Sequence, residues 1–174
     1  MRSKSVSGAM ISCFCVPSVA EQSHAWFVPV TSMSTVYITR RAHFNAAHRL
    51  HNPARSEAWN RATFGPCNNA NWHGHNYLLE VTVAGTPAQD TGYVLDLSQL
   101  QQIMQAHVVD HLDHKNLNLD VAFLEGIMPS TENVVVAIWN ALEPHIPAGR
   151  LHRVRLFETE RNYAEYYGPV HDQH

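Results

Sequence analysis

One run of eleven residues, Cys67 to Tyr77 (Cys-Asn-Asn-Ala-Asn-Trp-His-Gly-His-Asn-Tyr), gathers the groups best suited to chemistry. It holds a His-x-His pair, His73 and His75, with Cys67 six residues upstream of the first histidine. The apolar alternation Leu79, Val81, Val83 begins just downstream. If the two histidines lie at the mouth of that strand, its period of two puts both imidazoles on one face. Two such nitrogens can grip one metal ion. A catalytic zinc takes three protein ligands and keeps a fourth position open. The best third ligand is His48, at the end of Phe44-Asn45-Ala46-Ala47-His48. His43 and His51 compete with it, and spacing alone does not exclude them. With 13 histidines in 174 residues, close pairs also arise by chance. The added weight comes from His48, Cys67 and the cluster of asparagines.

Cys67 suits proton transfer. A thiol beside a cation or a metal titrates low enough to act as a base near neutrality. Two other roles stand beside this one: a fourth metal ligand closing a structural site, or a packing residue. Asp113 and His114 form a second polar pair. Neighbours in sequence usually point apart, so these two need not bond each other. The plainer reading is a turn-capping Asp113 and a surface His114. Glu158 shares a strand face with Val154 and Leu156. A carboxylate at a buried strand position costs several kcal/mol unless paired, so Glu158 is either at a wet strand end or a ligand-binding acid. Thr131 and Glu132 stand at a helix start, where a hydroxyl caps and an acid suits the first turn.

Five segments occur in one order: Phe44–Leu50, Cys67–Tyr77, Leu112-Asp113-His114-Lys115-Asn116-Leu117, Ser130-Thr131-Glu132-Asn133 and Phe157-Glu158-Thr159. Together they resemble the 6-pyruvoyltetrahydropterin synthase / 6-carboxytetrahydropterin synthase family, over about Val36 to Gly168. The resemblance implies a T-fold: a four-stranded antiparallel sheet with two helices on one face, closing into a barrel by oligomerisation. It implies a homohexamer built as a dimer of trimers, with active sites between subunits. It also implies Zn2+ on His48, His73 and His75. Cys67 becomes the proton-transfer residue with Asp113 and His114 as partners, and Glu158 anchors the pterin, aided by Thr131 and Glu132. The activity implied is a lyase reaction that eliminates triphosphate from 7,8-dihydroneopterin triphosphate, giving 6-pyruvoyltetrahydropterin on the tetrahydrobiopterin route. The alternative product is 6-carboxy-5,6,7,8-tetrahydropterin, with loss of acetaldehyde, on the queuosine and deazapurine route. The Cys-to-His spacing is closer to the first type. A non-catalytic zinc- or pterin-binding relative is the alternative of another class, and the presence of Cys67 argues against it. Ala70 and Trp72 depart from the Pro and Gly expected in the animal type, and the bulk of Trp72 beside His73 bears on the pocket's shape.

The elements that must position these residues follow from pattern. Residues 35 to 48 read as a first strand, 51 to 66 as a loop, and 77 to 84 as a second strand, with Tyr93-Val94-Leu95 as its hairpin partner. Asp96 caps a helix with apolar residues at Leu97, Leu100, Ile103, Met104 and Val108, ending near Asp110. Ser130-Thr131 opens another, with Val134, Val135, Ile138 and Leu142 as its stripe and Pro144 and Pro147 beyond it. Leu151 to Glu158 and Asn162 to Tyr167 are the last strands. The class is α+β.

Composition sets the bounds. A hydrophobic content of 45% supports a core, and a net charge of −3 argues against general nucleic-acid binding. Three cysteines, two of them in the N-terminal stretch, are no disulfide framework. A reducing, cytoplasmic setting is the expectation. Residues 1–32 faintly mimic a signal peptide, but Ser12 and Pro17 break the apolar part, which is too short to span a membrane. They are expected to be an extension outside a single domain of residues 33–170, with 171–174 as a tail.

Overall fold

A computed structural model describes residues 34–169. The expectations for residues 1–32 and 171–174 fall outside the described residues. Two long strands dominate. β1 (Val36–His48) and β2 (His73–Gly85) pair antiparallel along their whole length, from Val36 opposite Gly85 to His48 opposite His73. β4 (Arg150–Phe157) pairs antiparallel with the other side of β2, and β5 (Tyr163–Tyr166) with β4. β3 (Lys115–Asn116) joins the free edge of β1 in parallel, at Ala46 and Ala47. The order is β3-β1-β2-β4-β5. The sheet is therefore mixed and five-stranded, where the sequence reading expected four antiparallel strands. Two polar residues show no alternation, so β3 leaves no trace in the pattern.

Tyr93-Val94-Leu95 is not a hairpin strand. Val94 and Leu95 are buried, and they drop into the core just before the helix that Asp96 caps. Residues 51–66 are not all loop either. α1 (Glu57–Phe64) starts at Ser56, whose hydroxyl accepts from Trp59 N. Its sequence is too polar to show a stripe. Its anchor is Asn60, fully buried, which bonds Asn52, Arg55 and Ser56 through their backbone.

α2 (Leu97–Met104) begins where Asp96 accepts from Ser98 N. It runs on through a π turn at Gln105–Val109 into α3 (Asp110–Leu112), which delivers the chain to Asp113 and His114. α4 (Thr131–Leu142) is capped by Ser130, which accepts from Asn133 N. Leu100, Met104 and Val108 of the first helix and Val134, Val135, Ile138 and Leu142 of α4 are buried in one core with the sheet residues Phe44, Tyr77, Leu79, Val81, Val83, Val154 and Leu156. These residues belong to the stripes expected from helical and strand period, but Leu97, expected in the first helix's stripe, is exposed and Ile103 is only partly buried.

The other sheet face is charged. Glu80 is buried there, and Arg41 meets it at 2.7 Å, with Arg153 at 3.4 Å and Arg155 at 3.7 Å. The guanidinium groups supply the pairing that a buried carboxylate needs.

Candidate active site

The β1–β2 register assembles the site. His48 stands directly opposite His73, Ala46 opposite His75 and Phe44 opposite Tyr77. Alternate residues share a face, so His48, His73, His75 and Tyr77 all point to the helix-covered side. The ring centroids are 4.5 Å apart for His48 and His73, 5.1 Å for His48 and His75, and 5.0 Å for His73 and His75. One ring nitrogen from each histidine lies within 4.8 Å of the others. The competitors drop out. His43 is an odd residue of β1 and points to the opposite face. His51 lies past the strand end, where its Nδ1 meets Asn68 Oδ1 at 2.9 Å.

His48 is 1% exposed, and its Nδ1 lies 2.8 Å from the Pro129 carbonyl oxygen. A carbonyl only accepts, so Nδ1 carries the proton and Nε2 presents its lone pair. That Nε2, both ring nitrogens of His73 and Nε2 of His75 are buried without a hydrogen-bond partner. An orphaned buried polar atom costs about 1–3 kcal/mol. One such nitrogen from each of the three rings, gathered around one point, fits a bound cation, and neutral imidazole is a ligand for ions of the first transition row. Burial lowers the proton affinity of all three rings and keeps them neutral. The nearby Glu158 carboxylate opposes this without reversing it.

Glu158 follows β4. Leu78 pairs with Phe157, so the next position brings Glu158 level with Tyr77. Its Oε1 lies 3.6 Å from His48 Nε2 and 3.8 Å from His75 Nε2. The Thr131 hydroxyl donates to the same Oε1 at 3.0 Å. The sequence reading made capping the plain role of Thr131. Ser130 is the cap, which frees Thr131 for Glu158. Glu132 is exposed in the first turn of α4.

Cys67 is a free, half-buried thiol in the 3-10 turn Gly65–Asn68. Its carbonyl accepts from Leu50 N at 2.9 Å, and Arg49 Nε donates to Asn68 O at 3.0 Å, so the turn is pinned to the end of β1. The chain then turns sharply, with Asn71 N on Asn69 Oδ1 and Trp72 N on Asn69 O, and enters β2 at His73. Burial raises the Tyr77 hydroxyl well above its ordinary value, and Glu158 and Cys67 raise it further.

Asp113 and His114 bond each other, a point the sequence leaves open. His114 Nδ1 lies 2.9 Å from Asp113 Oδ2. His114 sits at φ 58°, a left-handed backbone that folds its ring back onto its neighbour. Asp113 Oδ1 also accepts from Asn45 N at 2.8 Å, so Asp113 caps the edge of β1 as well. That backbone hydrogen bond is the main reason its carboxyl lies below the usual range; His114 adds to it. Within the single chain neither residue bonds Cys67, and the His114 side chain is 79% exposed. Three residues upstream the same dipeptide, Asp110-His111, is used elsewhere: Asp110 accepts from Gln105 Nε2, and His111 packs on Phe123.

Sequence reasoning missed two contributors. Tyr77 stands two residues after His75, and strand period alone would have found it. The Pro129 carbonyl carries no side-chain signal, and only the tertiary approach of the loop before α4 reveals it.

Comparisons with known proteins match most of the described chain. The family model described as 6-pyruvoyl tetrahydropterin synthase matches residues 37–169. The human protein named 6-pyruvoyl tetrahydrobiopterin synthase is 42% identical over 131 residues, covering 75% of this chain and 90% of its own. The solved structure of Caenorhabditis elegans 6-pyruvoyl tetrahydropterin synthase superposes with a TM-score of 0.75 at 38% identity, covering 79% of this chain and 98% of that one. A Synechocystis protein named 6-carboxy-5,6,7,8-tetrahydropterin synthase is 37% identical over 101 residues, covering 56% of this chain and 75% of its own. The chain belongs to the 6-pyruvoyl tetrahydropterin synthase family.

Proposed function

We propose that this chain is a zinc-dependent lyase that eliminates triphosphate from 7,8-dihydroneopterin triphosphate and leaves 6-pyruvoyltetrahydropterin. The observation that carries this reading is the convergence of one orphaned nitrogen from each of His48, His73 and His75 within 4.8 Å of one another. The 42% identity with the human synthase supports the 6-pyruvoyl product over the 6-carboxy product. The Synechocystis relative keeps the second product as the rival reading.

The three imidazoles would hold the ion, which when bound supplies Lewis-acid polarisation of the side-chain hydroxyls. The chain's own residues do the rest. Glu158 accepts N–H groups of the aminopyrimidinone edge, and so fixes the ring. Thr131 orients Glu158 through its 3.0 Å bond, and Glu132 at the mouth of α4 adds a polar contact. Cys67 removes a side-chain proton, and the Asp113–His114 pair relays protons to and from it. The reaction needs no outside oxidant. The side chain loses hydrogen as its hydroxyl carbons become carbonyls, the ring gains it, and triphosphate leaves with the electron pair of its C–O bond.

The exposure of His114, with no bond from it or Asp113 to Cys67, supports an assembly in which one chain's Asp113–His114 serves another chain's Cys67. A homohexamer formed from two trimers is the assembly proposed. Among the described residues no helix is long and apolar enough to cross a membrane.

Triphosphate release tests the reading. Zinc-loaded protein is expected to release it from the dihydroneopterin substrate. Cys67→Ala is expected to keep zinc and pterin binding while turnover falls about 10²–10⁴-fold, the usual worth of a general acid or base. Loss of zinc from Cys67→Ala would make the cysteine a ligand and end its proposed role.

A further inference from the structure

Glu158 is too far from the histidines to hydrogen-bond them and too close to ignore them. Its Oε1 stands 3.6 Å from His48 Nε2 and 3.8 Å from His75 Nε2. An N–H···O bond spans 2.7–3.2 Å, so neither contact is one. The Pro129 carbonyl fixes the His48 proton on Nδ1, so Nε2 faces the carboxylate with a lone pair. Two acceptors aimed at each other repel unless a cation lies between them. Two ligands of a tetrahedral ion at about 2.0–2.1 Å stand roughly 3.3–3.4 Å from each other. The two observed separations are near that spacing.

We propose that Glu158 is a fourth ligand of the metal ion in the free protein, and that it gives up this position to hold the pterin. The ligation half rests on the three histidines holding the ion. The exchange half rests also on Glu158 as the pterin's anchor. Oε1 has one other partner, the Thr131 hydroxyl at 3.0 Å, and the side chain keeps 21% of its surface exposed. A single hydrogen bond at the head of α4 lets the carboxylate turn about its stem. The consequence is ordered binding: an empty site keeps its ion closed off by Glu158, and the arriving ring draws the carboxylate away and opens the fourth position. A carboxylate used twice needs no moving loop.

The test measures metal rather than turnover. Zinc affinity is read by competition with a chelator, and ligand geometry by the visible absorption of the cobalt(II)-loaded protein. Glu158→Gln is expected to weaken zinc binding about 10–100-fold, the range seen when a metal site loses a supporting carboxylate, and to change the cobalt spectrum. Glu158→Asp keeps the charge but draws it back by one methylene. It should behave like Glu158→Gln if the carboxylate ligates. If Glu158→Asp matches the parent protein, or if neither variant moves the cobalt spectrum, the effect is one of charge alone and the ligation is refuted. Circular dichroism confirms that both variants are folded. The exchange is tested with pterin lacking the side-chain diol, which cannot itself reach the ion through hydroxyls. Saturating cobalt-loaded parent protein with it should shift the spectrum toward that of Glu158→Gln. An unchanged spectrum while pterin fluorescence reports binding would overturn the exchange. None of these readings uses the triphosphate substrate, so failure of the lyase reading would leave them standing or falling on their own.

Discussion

The Nδ1–H of His48 is committed to the Pro129 carbonyl, so the ring can offer only Nε2 to the point where His73 and His75 converge. Tautomer and direction are thus set before any ion arrives. The same burial that positions the rings makes them poor bases. Their pKa values are lowered by burial first, from an ordinary value of 6.5. The sign of the stability effect follows. As pH falls, the unfolded chain takes up protons before the folded one does. The contribution is complete above about pH 6.5 and is lost as pH drops toward the lowered folded values. His152, lowered by burial and then by Arg150 and Arg153, adds to the same limb. The metal-free protein should therefore lose melting temperature between about pH 7 and about pH 5, and His48→Gln should flatten that fall. A melting temperature that holds level through the window would contradict lowered proton affinity in the three rings. Metal affinity should fall in the same window, since protonated rings cannot ligate.

At the scale of elements, two long strands and one tight turn do most of the positioning. The strands were partly legible: the first was expected over 35–48 and runs Val36–His48, and the second was expected over 77–84 but starts at His73. The register that sets His48 opposite His73 was not legible, but period two put His73 and His75 on one face. The helix stripes and the Asp96 cap were legible for the same reason, since both are local. What could not be read was non-local or too short. Lys115-Asn116 joins the sheet in parallel through two polar residues. α1 depends on Asn60 reaching the backbone of Asn52, Arg55 and Ser56. The Asp113–His114 bond depends on a left-handed φ that sequence does not announce. The turn before β2 carries a similar strain. Trp72 sits at φ 66°, a region that costs an L-residue about 1–2 kcal/mol and a glycine almost nothing. This is the position where the family resemblance led us to expect glycine. Trp72→Gly should accordingly give a higher melting temperature than Trp72→Ala, by a margin worth about 1 kcal/mol. Equal melting temperatures would mean that the backbone is not strained there.

At the scale of the whole molecule, the single chain holds every proposed site residue but not all in one place. His48, His73, His75, Glu158 and Thr131 meet, and the turn that carries Cys67 is pinned to the end of β1. Asp113 and His114 stand on the far edge of β1, paired with each other. If a neighbouring subunit completes the site, two inactive variants should complement. Mixing Cys67→Ala with His114→Ala subunits through a dissociation and reassembly step should restore a measurable fraction of activity, and native mass spectrometry should report six chains. A monomer with full activity would refute the shared site. The sequence could not supply this level, because assembly is written in surfaces whose partner is another copy. The central claim is the reaction itself. The most direct test is anaerobic incubation of zinc-loaded protein with 7,8-dihydroneopterin triphosphate, followed by mass spectrometry of the products. The account predicts 6-pyruvoyltetrahydropterin and free triphosphate. A 6-carboxytetrahydropterin product with acetaldehyde would move the same residues to the rival reaction, and substrate returned intact would contradict the assignment as a lyase.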